Sequence, residues 1–242
     1  MSLVKEYLES IGFDYDEIKN RFDDNLDVLT VHQRAAGRIN PKNAEDIKLL
    51  YSDWEYLIKE KLQENIVETV KNSLEDAYNS KLFSDLFKNR DMKILDFGCG
   101  NSSLAGHLAI KGYPNVTLAD IPTIGFNYVK YSYRHENILV TFLDLKEDSD
   151  VLDTYDFIVC SEVMEHITDP VGTLKYLVSH LKTGGVMYLS VFFDNLGGKE
   201  PYHLEQNNKY GNPALWLKIT NDCGLDLLRV DENNVPKIYV KR

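Results

Sequence analysis

The chain from Met92 onward alternates short apolar runs with helical patterns, and this alternation constrains the fold more than any other feature. Buried strands that alternate with helices form βαβ units, which place a largely parallel sheet between two layers of helices. The last two runs are joined by the link DENNV, which is too short for a parallel crossover and predicts an antiparallel pair. The apolar runs are MKILDF, NVTLAD, ILVTFLD, YDFIVC, GGVMYLSVFF, LDLLRV and PKIYVKR. The predicted class is α/β, with a seven-stranded, mostly parallel sheet, helices on both faces and an antiparallel last strand.

Residues 1–90 differ in composition, with many charged residues that favour helices and few residues that break them. Apolar positions recur there at helical spacing between Ala44 and Lys88, which predicts one or two amphipathic helices. The sequence is therefore divided into a helical N-terminal extension over residues 1–90 and a core domain over residues 91–242.

The charge balance disfavours several classes of partner. The chain carries 27 Lys and Arg against 38 Asp and Glu, a formal net charge of −11. Nucleic-acid backbones and anionic membranes are both recognised mainly through Lys and Arg, so neither is an expected partner. The three cysteines, Cys99, Cys160 and Cys223, fit neither a disulfide framework nor a thiolate zinc site. No apolar run suits a signal peptide or a membrane span, and we expect a soluble, cytoplasmic protein whose oligomeric state is open.

The first apolar run ends in the turn DFGCGNSSLAG, which has the position and glycine content of a ligand-binding turn. Gly98 and Gly100 permit positive φ and allow a ligand to approach the backbone closely. A dinucleotide-binding turn needs a third glycine where this chain has Ser103, and Asp96 would repel a pyrophosphate while suiting an ammonium group. An NAD-dependent dehydrogenase is therefore a weak candidate.

Acidic residues also end the second and third apolar runs. Asp120 lies 20 residues after Gly100, where a carboxylate can accept hydrogen bonds from ribose hydroxyls. Asp144 ends the third run, where a carboxylate can accept from the exocyclic amine of adenine. Each residue alone is equally suited to capping a helix or facing solvent, but an ordered set at one sheet edge predicts an adenosine-binding crevice.

Five stretches in this order resemble the successive motifs of the class I S-adenosylmethionine-dependent methyltransferases. They are ILDFGCGNSSLAGHLA, VTLADI, TFLDLKE, YDFIVCSEVMEHI and LKTGGVMYLSV, and they cover residues 92–192. The resemblance implies a Rossmann-like sheet and S-adenosylmethionine as the methyl donor. Ser102 stands where many members have a third glycine, which is expected to alter the turn without abolishing binding.

The resemblance also implies which residues contact the methyl donor. It assigns the methionine pocket to the glycine turn, the ribose to the acid after the second strand and the adenine to the residues after the third. The implied set is Asp96, Gly98, Cys99, Gly100, Asp120, Ile121, Asp144, Leu145 and Ser161.

The fourth apolar run leads into SEVMEHITDP, where Glu162, Glu165 and His166 have the spacing i, i+3, i+4. On a helical turn these three side chains would share one face. Two carboxylates and an imidazole suit Mg²⁺, Mn²⁺ or Zn²⁺, and His203 in KEPYHLEQ is expected to reach the same edge as a fourth ligand. This set resembles metal-dependent O-methyltransferases of the ubiquinone-biosynthesis and small-RNA 3′-end types. In those families the ion chelates two neighbouring hydroxyls and makes one easier to deprotonate.

Two other interpretations of the same stretch stay open. His166 or His203 can act as a metal-free general base on a hydroxyl or an amine, with Glu162 as a further catalytic candidate. Alternatively, Glu162 and Glu165 only provide the negative charge that favours a helix start. Many metal-free relatives carry a similar S-E-V-x-E-H stretch.

The predicted function is S-adenosylmethionine-dependent methylation of a small molecule, with divalent-metal assistance. The preferred acceptor is a hydroxyl next to a second hydroxyl, as in a sugar or another metabolite. The alternatives are an RNA 3′-terminal 2′-O-methyltransferase, a metal-free N-methyltransferase with a histidine base, and a non-catalytic cofactor-binding protein.

A core of this kind does not enclose its acceptor by itself. The helical extension and the aromatic segment IGFNYVKYSYRH are therefore candidates for a lid over the crevice. Arg34 and Arg38, four residues apart in the loop HQRAAGRINPKN, either receive an anionic group or are solvated surface cations.

Overall fold

The structure, a computed structural model, describes residues 3–16, 87–101, 104–145, 153–193, 203–230 and 237–242. Its helices are α1 (Leu3–Ser10), α2 (Leu104–Ile110), α3 (Ile124–His135), α4 (Pro170–His180) and α5 (Pro213–Asp222). Its strands are β1 (Ile94–Phe97), β2 (Val116–Asp120), β3 (Thr141–Asp144), β4 (Tyr155–Ser161), β5 (Leu181–Ser190), β6 (Leu225–Val230) and β7 (Lys237–Lys241). Two 3₁₀ segments complete it: the 164–166 turn (Met164–His166) and the 205–210 helix (Glu205–Tyr210).

The strands form one sheet in the order β3-β2-β1-β4-β5-β7-β6. Strands β1 to β5 pair with one another in parallel. Strand β7 lies between β5 and β6 and is antiparallel to both. The predicted mostly parallel sheet with an antiparallel last strand is therefore confirmed.

Helices cover both faces of the sheet. Because side chains alternate along each strand, successive residues enter the apolar layers on opposite faces. In β1, Ile94 belongs to the apolar cluster on one face and Leu95 to the cluster on the other. Helices α1, α2 and α3 contribute to the first cluster, through side chains such as Tyr128. Helices α4 and α5 contribute to the second, where Trp216 is 2% exposed. The helices on both faces are also as predicted.

Short polar signals explain where several helices begin. Asp169 precedes Pro170 and accepts a hydrogen bond from the backbone N–H of Gly172 at 2.9 Å. Asn212 likewise precedes Pro213 and accepts from two backbone N–H groups of α5. Such a cap followed by proline satisfies donors that the first helical turn leaves open. None of the described helices has the length and apolarity that crossing a bilayer requires.

The described part of the N-terminal extension packs into the core. Val4, Tyr7 and Leu8 of α1 are buried, and the Tyr7 ring lies 5.2 Å from the Tyr128 ring of α3. The Tyr7 hydroxyl donates to the carbonyl of Ile124 at 3.3 Å. The predicted helical stripe up to residue 86, the loop with its two arginines and Ser102–Ser103 lie outside the described residues. The lid and the boundary at residue 90 therefore stay predictions.

The aromatic segment IGFNYVKYSYRH is helix α3, and its interpretation as part of a lid is wrong. Phe126, Tyr128 and Tyr133 are at most 2% exposed and lie in the core cluster. The helix follows β2 as a parallel crossover, so its apolar face has to cover the sheet. Burial of these large rings stabilises the fold and leaves them unable to cover a ligand.

Candidate active site

The order of the strands places one crevice at the carboxyl ends of β1 and β4. From β1 the chain continues to β2 and β3 on one side, whereas β4 and β5 lie on the other. In open α/β sheets, ligands bind outside the strand ends where the order reverses in this way. The glycine turn follows β1 and the motif SEVMEHITDP begins at the end of β4, so both motifs flank this point.

The glycine turn has the backbone that its sequence predicts. Gly98 has φ of +67° and Gly100 has φ of +49°, both in the left-handed region. A Cβ atom on Gly98 would lie 2.5 Å from the Cγ2 atom of Val163. Gly98 therefore permits the turn after β1 to lie directly against the segment after β4.

The carboxylate of Asp120 is held against this turn. Its Oδ2 accepts from the backbone N–H of Gly100 at 2.6 Å, and its Oδ1 accepts from the N–H of Ile121 at 2.7 Å. Both carboxylate oxygens are therefore fixed at the end of β2, beside the glycine turn.

Asp144 lies beside Asp120, because the two are register partners at the ends of β2 and β3. The ammonium of Lys130 forms an ion pair with Asp144 and lies 4.5 Å from the centre of the Phe126 ring. This cation offsets the repulsion between the two neighbouring carboxylates. The backbone N–H of Leu145 donates to the carbonyl of Asp120 at 2.8 Å, which ties the ends of the two strands together.

The remaining predicted cofactor residues also lie near this crevice. Asp96 is 4% exposed within β1, and Ser161 is the half-buried last residue of β4. Burial raises the pKa of the Cys99 thiol well above its usual range, and the charges of Asp120 and Asp96 raise it further. A neutral buried thiol is a poor nucleophile, which favours a packing role for Cys99. The contacts of the whole predicted set with a methyl donor stay predictions.

The segment after β4 is not the single helical face that the spacing suggested. Glu162 has φ of +54° and precedes the 164–166 turn, which carries only Glu165 and His166. The N–H of Glu162 donates to the carbonyl of Ser190 at 2.9 Å, and its carboxylate accepts from the Ser190 hydroxyl. Because β5 anchors Glu162 in this way, the chain turns before the 3₁₀ segment begins.

Glu165 is a fully buried carboxyl group with few partners. Its Oε1 accepts from the backbone N–H of Phe192 at 3.2 Å, and its Oε2 has no hydrogen-bond partner within the described residues. Burial, followed by the negative charge of Glu162, raises the pKa of Glu165 to about 8. Such a group favours a proton or another cation at neutral pH.

Glu165, His166 and His203 come together although the two histidines are 37 positions apart in the sequence. One donor atom from each of the three lies within 4.8 Å of the others, and the two imidazole centres are 5.1 Å apart. Ligands at about 2.0–2.3 Å from one ion lie at most about 4.6 Å apart, so a small adjustment would suffice. Glu162, which the sequence also suggested as a ligand, is not in this group, and the ligand set stays a prediction.

An exposed aromatic ring lies beside this cluster. The ring of Phe192 is 5.9 Å from that of His203, and the residue is 52% exposed. The backbone N–H of Leu204 donates to the Glu165 carbonyl at 3.0 Å, so the segment after His203 is attached to the 164–166 turn.

Sequence reasoning did not identify Lys130, Ser190 or Phe192 as neighbours of the site. They lie in α3, at the end of β5 and just after β5, and the sequence pattern did not indicate which side chains of these segments approach the site. The apolar run GGVMYLSVFF gave a partial signal, because it predicts a strand whose end, with Ser190 and Phe192, lies at the same edge of the sheet.

Comparisons with known proteins agree with this geometry. The family model described as "Methyltransferase domain" matches residues 70–224. A ubiquinone biosynthesis O-methyltransferase of Rickettsia prowazekii is 27% identical over 212 residues, which are 78% of this chain and 79% of that protein.

Two solved structures share the fold. An O-methyltransferase family protein from Burkholderia thailandensis has a TM-score of 0.61 at 13% identity, covering 98% of this chain and 82% of that one. The magnesium protoporphyrin IX methyltransferase of Synechocystis PCC 6803, with bound SAH, has a TM-score of 0.51 at 18% identity. That match covers 100% of this chain and 99% of the other. At such identities the likeness concerns the fold.

Proposed function

We propose, from the premise that this chain belongs to the methyltransferase domain family and is a class I S-adenosylmethionine-dependent methyltransferase, that it methylates a hydroxyl of a small molecule. The acceptor hydroxyl has a second hydroxyl next to it, and a divalent metal ion assists. The Rickettsia relative named as a ubiquinone biosynthesis O-methyltransferase supports transfer to oxygen.

One observation carries this proposal above all others. Glu165 offers a carboxylate oxygen within 4.8 Å of donor atoms of two histidines, and its buried Oε2 has no hydrogen-bond partner in the described part of the chain. A carboxylate and two imidazoles are a set that binds Zn²⁺ or Mn²⁺ and leaves coordination positions for other ligands. The proposed ligands are therefore Glu165, His166 and His203, with Glu162 close enough to influence the charge of Glu165.

The methyl donor is proposed to lie across the strand ends beside this cluster. Asp96 would face its methionine part, Asp120 its ribose hydroxyls and Asp144 its adenine amine. Asp120 suits this role because the backbone N–H groups of Gly100 and Ile121 fix its carboxylate at the end of β2, where a carboxylate can accept from ribose hydroxyls. Gly98 and Gly100 keep the turn free of side chains where the donor would approach.

Methyl transfer requires little covalent chemistry from the protein, because the sulfonium of the donor is already activated. The residues have to align the acceptor with the methyl group and receive the acceptor's proton. A divalent ion, when bound, would hold two neighbouring hydroxyls and lower the pKa of one of them. His166 and His203 would hold the ion in place. Phe192 offers an exposed apolar surface to the part of the acceptor that does not react.

The test is a transfer assay with a radiolabelled methyl donor and three acceptors, before and after removal of metal by EDTA. The acceptors are a small compound with two neighbouring hydroxyls, its analogue with one hydroxyl and a short RNA. The first is expected to be methylated with metal present and to lose most of its label after chelation, with recovery on adding Mn²⁺ or Zn²⁺.

Two variants make this test specific. His203→Ala removes one proposed ligand, and His180→Ala removes an imidazole of α4 that contacts Tyr176 instead. His203→Ala is expected to lower metal affinity at least 10-fold without weakening S-adenosylhomocysteine binding, whereas His180→Ala leaves both unchanged. Full activity after complete chelation would contradict the metal and favour a histidine base.

A further inference from the structure

Asn207 is a buried polar residue that neither the sequence motifs nor the proposed ligand set includes. It lies in the 205–210 helix and is 2% exposed. Its side-chain nitrogen is 2.8 Å from the carbonyl oxygen of Ile167, 3.2 Å from that of Glu165 and 3.4 Å from that of Met164. One amide group thus contacts three carbonyls of the turn that carries Glu165 and His166.

These contacts meet a specific need of the 164–166 turn. A helical segment of three residues leaves most of its carbonyl groups without partners inside the segment. A buried carbonyl without a partner destabilises the fold. The carbonyls of Met164 and Glu165 also accept from the backbone N–H groups of Ile167 and Leu204, and the Ile167 carbonyl makes the shortest contact with Asn207. An amide carries only two N–H bonds, so the three carbonyls share them and at least one bond is bifurcated.

The same segment carries His203. The N–H of Leu204 donates to the Glu165 carbonyl at 3.0 Å, and the N–H of Asn207 donates to the Leu204 carbonyl at 2.8 Å. The Glu165 carbonyl therefore accepts one backbone bond, from Leu204, and one side-chain bond, from Asn207, while a carboxylate oxygen of Glu165 lies within 4.8 Å of atoms of the two imidazoles. The two loops that supply the cluster are held together through Leu204 and Asn207.

We propose that Asn207 is a positioning residue that sets the distance between His166 and His203. It acts through the backbone of the 164–166 turn and does not itself contact a metal ion or an acceptor. The chemical purpose rests on the proposed function, since the held pair is two of the three proposed metal ligands. The geometric role is separate and can be measured without metal.

The decisive comparison is between Asn207→Asp and Asn208→Asp. Both introduce the same negative charge one residue apart, but only the first replaces the donor that faces the three carbonyls by an acceptor. The side chain of Asn208 is half-buried in the same helix, so it is a close control.

The first readout is the affinity of the metal-free protein for Mn²⁺ alone, measured by calorimetry. Asn207→Asp is expected to weaken Mn²⁺ binding roughly 10- to 100-fold, the usual effect of disturbing groups that orient ligands. S-adenosylhomocysteine affinity is expected to stay within about twofold of the wild type, because the glycine turn is untouched. A parallel loss of both affinities would indicate a general structural defect and overturn the proposal.

The second readout is a nuclear Overhauser cross-peak between ring protons of His166 and His203 in the metal-free protein. The sequence has six histidines, so the signals are assignable from His166→Gln and His203→Gln. The cross-peak is expected in the wild type and in Asn208→Asp and is expected to be lost in Asn207→Asp. Its persistence in Asn207→Asp would overturn the proposal.

These two readouts separate the positioning role from the proposed function. If the wild type binds no Mn²⁺, the metal-assisted function fails, while the cross-peak still decides the role of Asn207. If Asn207→Asp does not fold, Asn207→Ser keeps one hydroxyl donor and is expected to give intermediate Mn²⁺ affinity and a weakened cross-peak. Wild-type values for a folded Asn207→Ser would contradict the proposal.

Discussion

At the scale of single residues, the acidic side chains of the site differ in their hydrogen-bond and charge partners. Asp120 accepts hydrogen bonds from two backbone N–H groups, and Asp144 is paired with the ammonium of Lys130. Glu165 is buried beside Glu162 with no cation among its described partners. The first two carboxylates thus have donors or a cation beside them, whereas the surroundings of Glu165 favour a proton or a metal ion.

The role of Asp120 predicts a large loss of cofactor affinity on truncation. Asp120→Ala removes acceptors from the proposed ribose site and from the N–H groups of Gly100 and Ile121. Hydrogen bonds to a charged group contribute about 1.5–3 kcal/mol each, so S-adenosylhomocysteine should bind about 10- to 100-fold more weakly. Calorimetry measures this, with Asp153→Ala as a control, since exposed Asp153 pairs with Lys93. Equal affinities in the two variants would refute the role.

The raised pKa of Glu165 predicts a pH-dependent stability of the metal-free protein. The unfolded chain loses this proton near pH 4.5, whereas the folded chain keeps it until about pH 8. The contribution to folding stability is therefore complete below about pH 4.5 and is lost as pH rises through about 8. The free energy of unfolding should fall across this range, by up to about 1.4 kcal/mol per pH unit.

Urea unfolding at several pH values in EDTA measures this slope. Glu165→Gln is expected to remove most of it while keeping an oxygen that can accept from the N–H of Phe192. Glu136→Gln, at an exposed glutamate after α3, is expected to retain the wild-type slope. An unchanged slope in Glu165→Gln would show that another group is responsible.

At the scale of elements, the site depends on how closely the turn after β1 approaches the segment after β4. Gly98 lies against Val163, and the N–H groups of Gly98 and Cys99 both donate to the carbonyl of Ala119 at the end of β2. The turn is thus attached to β2 on one side and packed against the β4 side on the other. A side chain at Gly98 would separate the two motifs that form the crevice.

Gly98→Ala is expected to destabilise the protein more than Gly112→Ala does. Both glycines have positive φ, +67° and +87°, so both variants incur the left-handed strain of about 1–2 kcal/mol. Only Gly98→Ala adds an overlap with Val163, because a Cβ at Gly112 meets nothing within 4 Å. The difference in the free energy of unfolding should be about 1–3 kcal/mol, the usual effect of overpacking. Adding Val163→Ala to Gly98→Ala should recover part of the lost free energy of unfolding. Equal losses of this free energy in the two glycine variants would contradict the overlap with Val163.

At the scale of the whole molecule, net charge and topology together restrict the acceptor. A chain with a net charge of −11 repels a polyanion, so the RNA in the acceptor assay should remain unlabelled at about 150 mM salt. The sheet is buried on both faces, which leaves its carboxyl edge as the place for a small ligand. Methylation of the RNA would overturn the preference for a small molecule.

Local pattern was enough to predict most of the core. The strand runs, the crossover helices and the antiparallel last pair follow from hydrophobic periodicity and link length, which act over a few residues. The positive φ of Gly98 and the alignment of Asp120 with Asp144 follow from where the strands end. The aromatic helix α3 was misjudged as a lid because exposure cannot be inferred from aromatic content alone.

The sequence by itself determined the succession of strands and helices along the chain. It also determined which acids and glycines follow the strands, because local periodicity dictates where each element begins and ends. Only the tertiary structure decided that Glu165, His166 and His203 form one cluster without Glu162. It also decided that Lys130 pairs with Asp144 and that the side chain of Asn207 contacts backbone carbonyls of Met164, Glu165 and Ile167. These contacts join residues on separate elements, and their distances depend on packing, which no local pattern specifies.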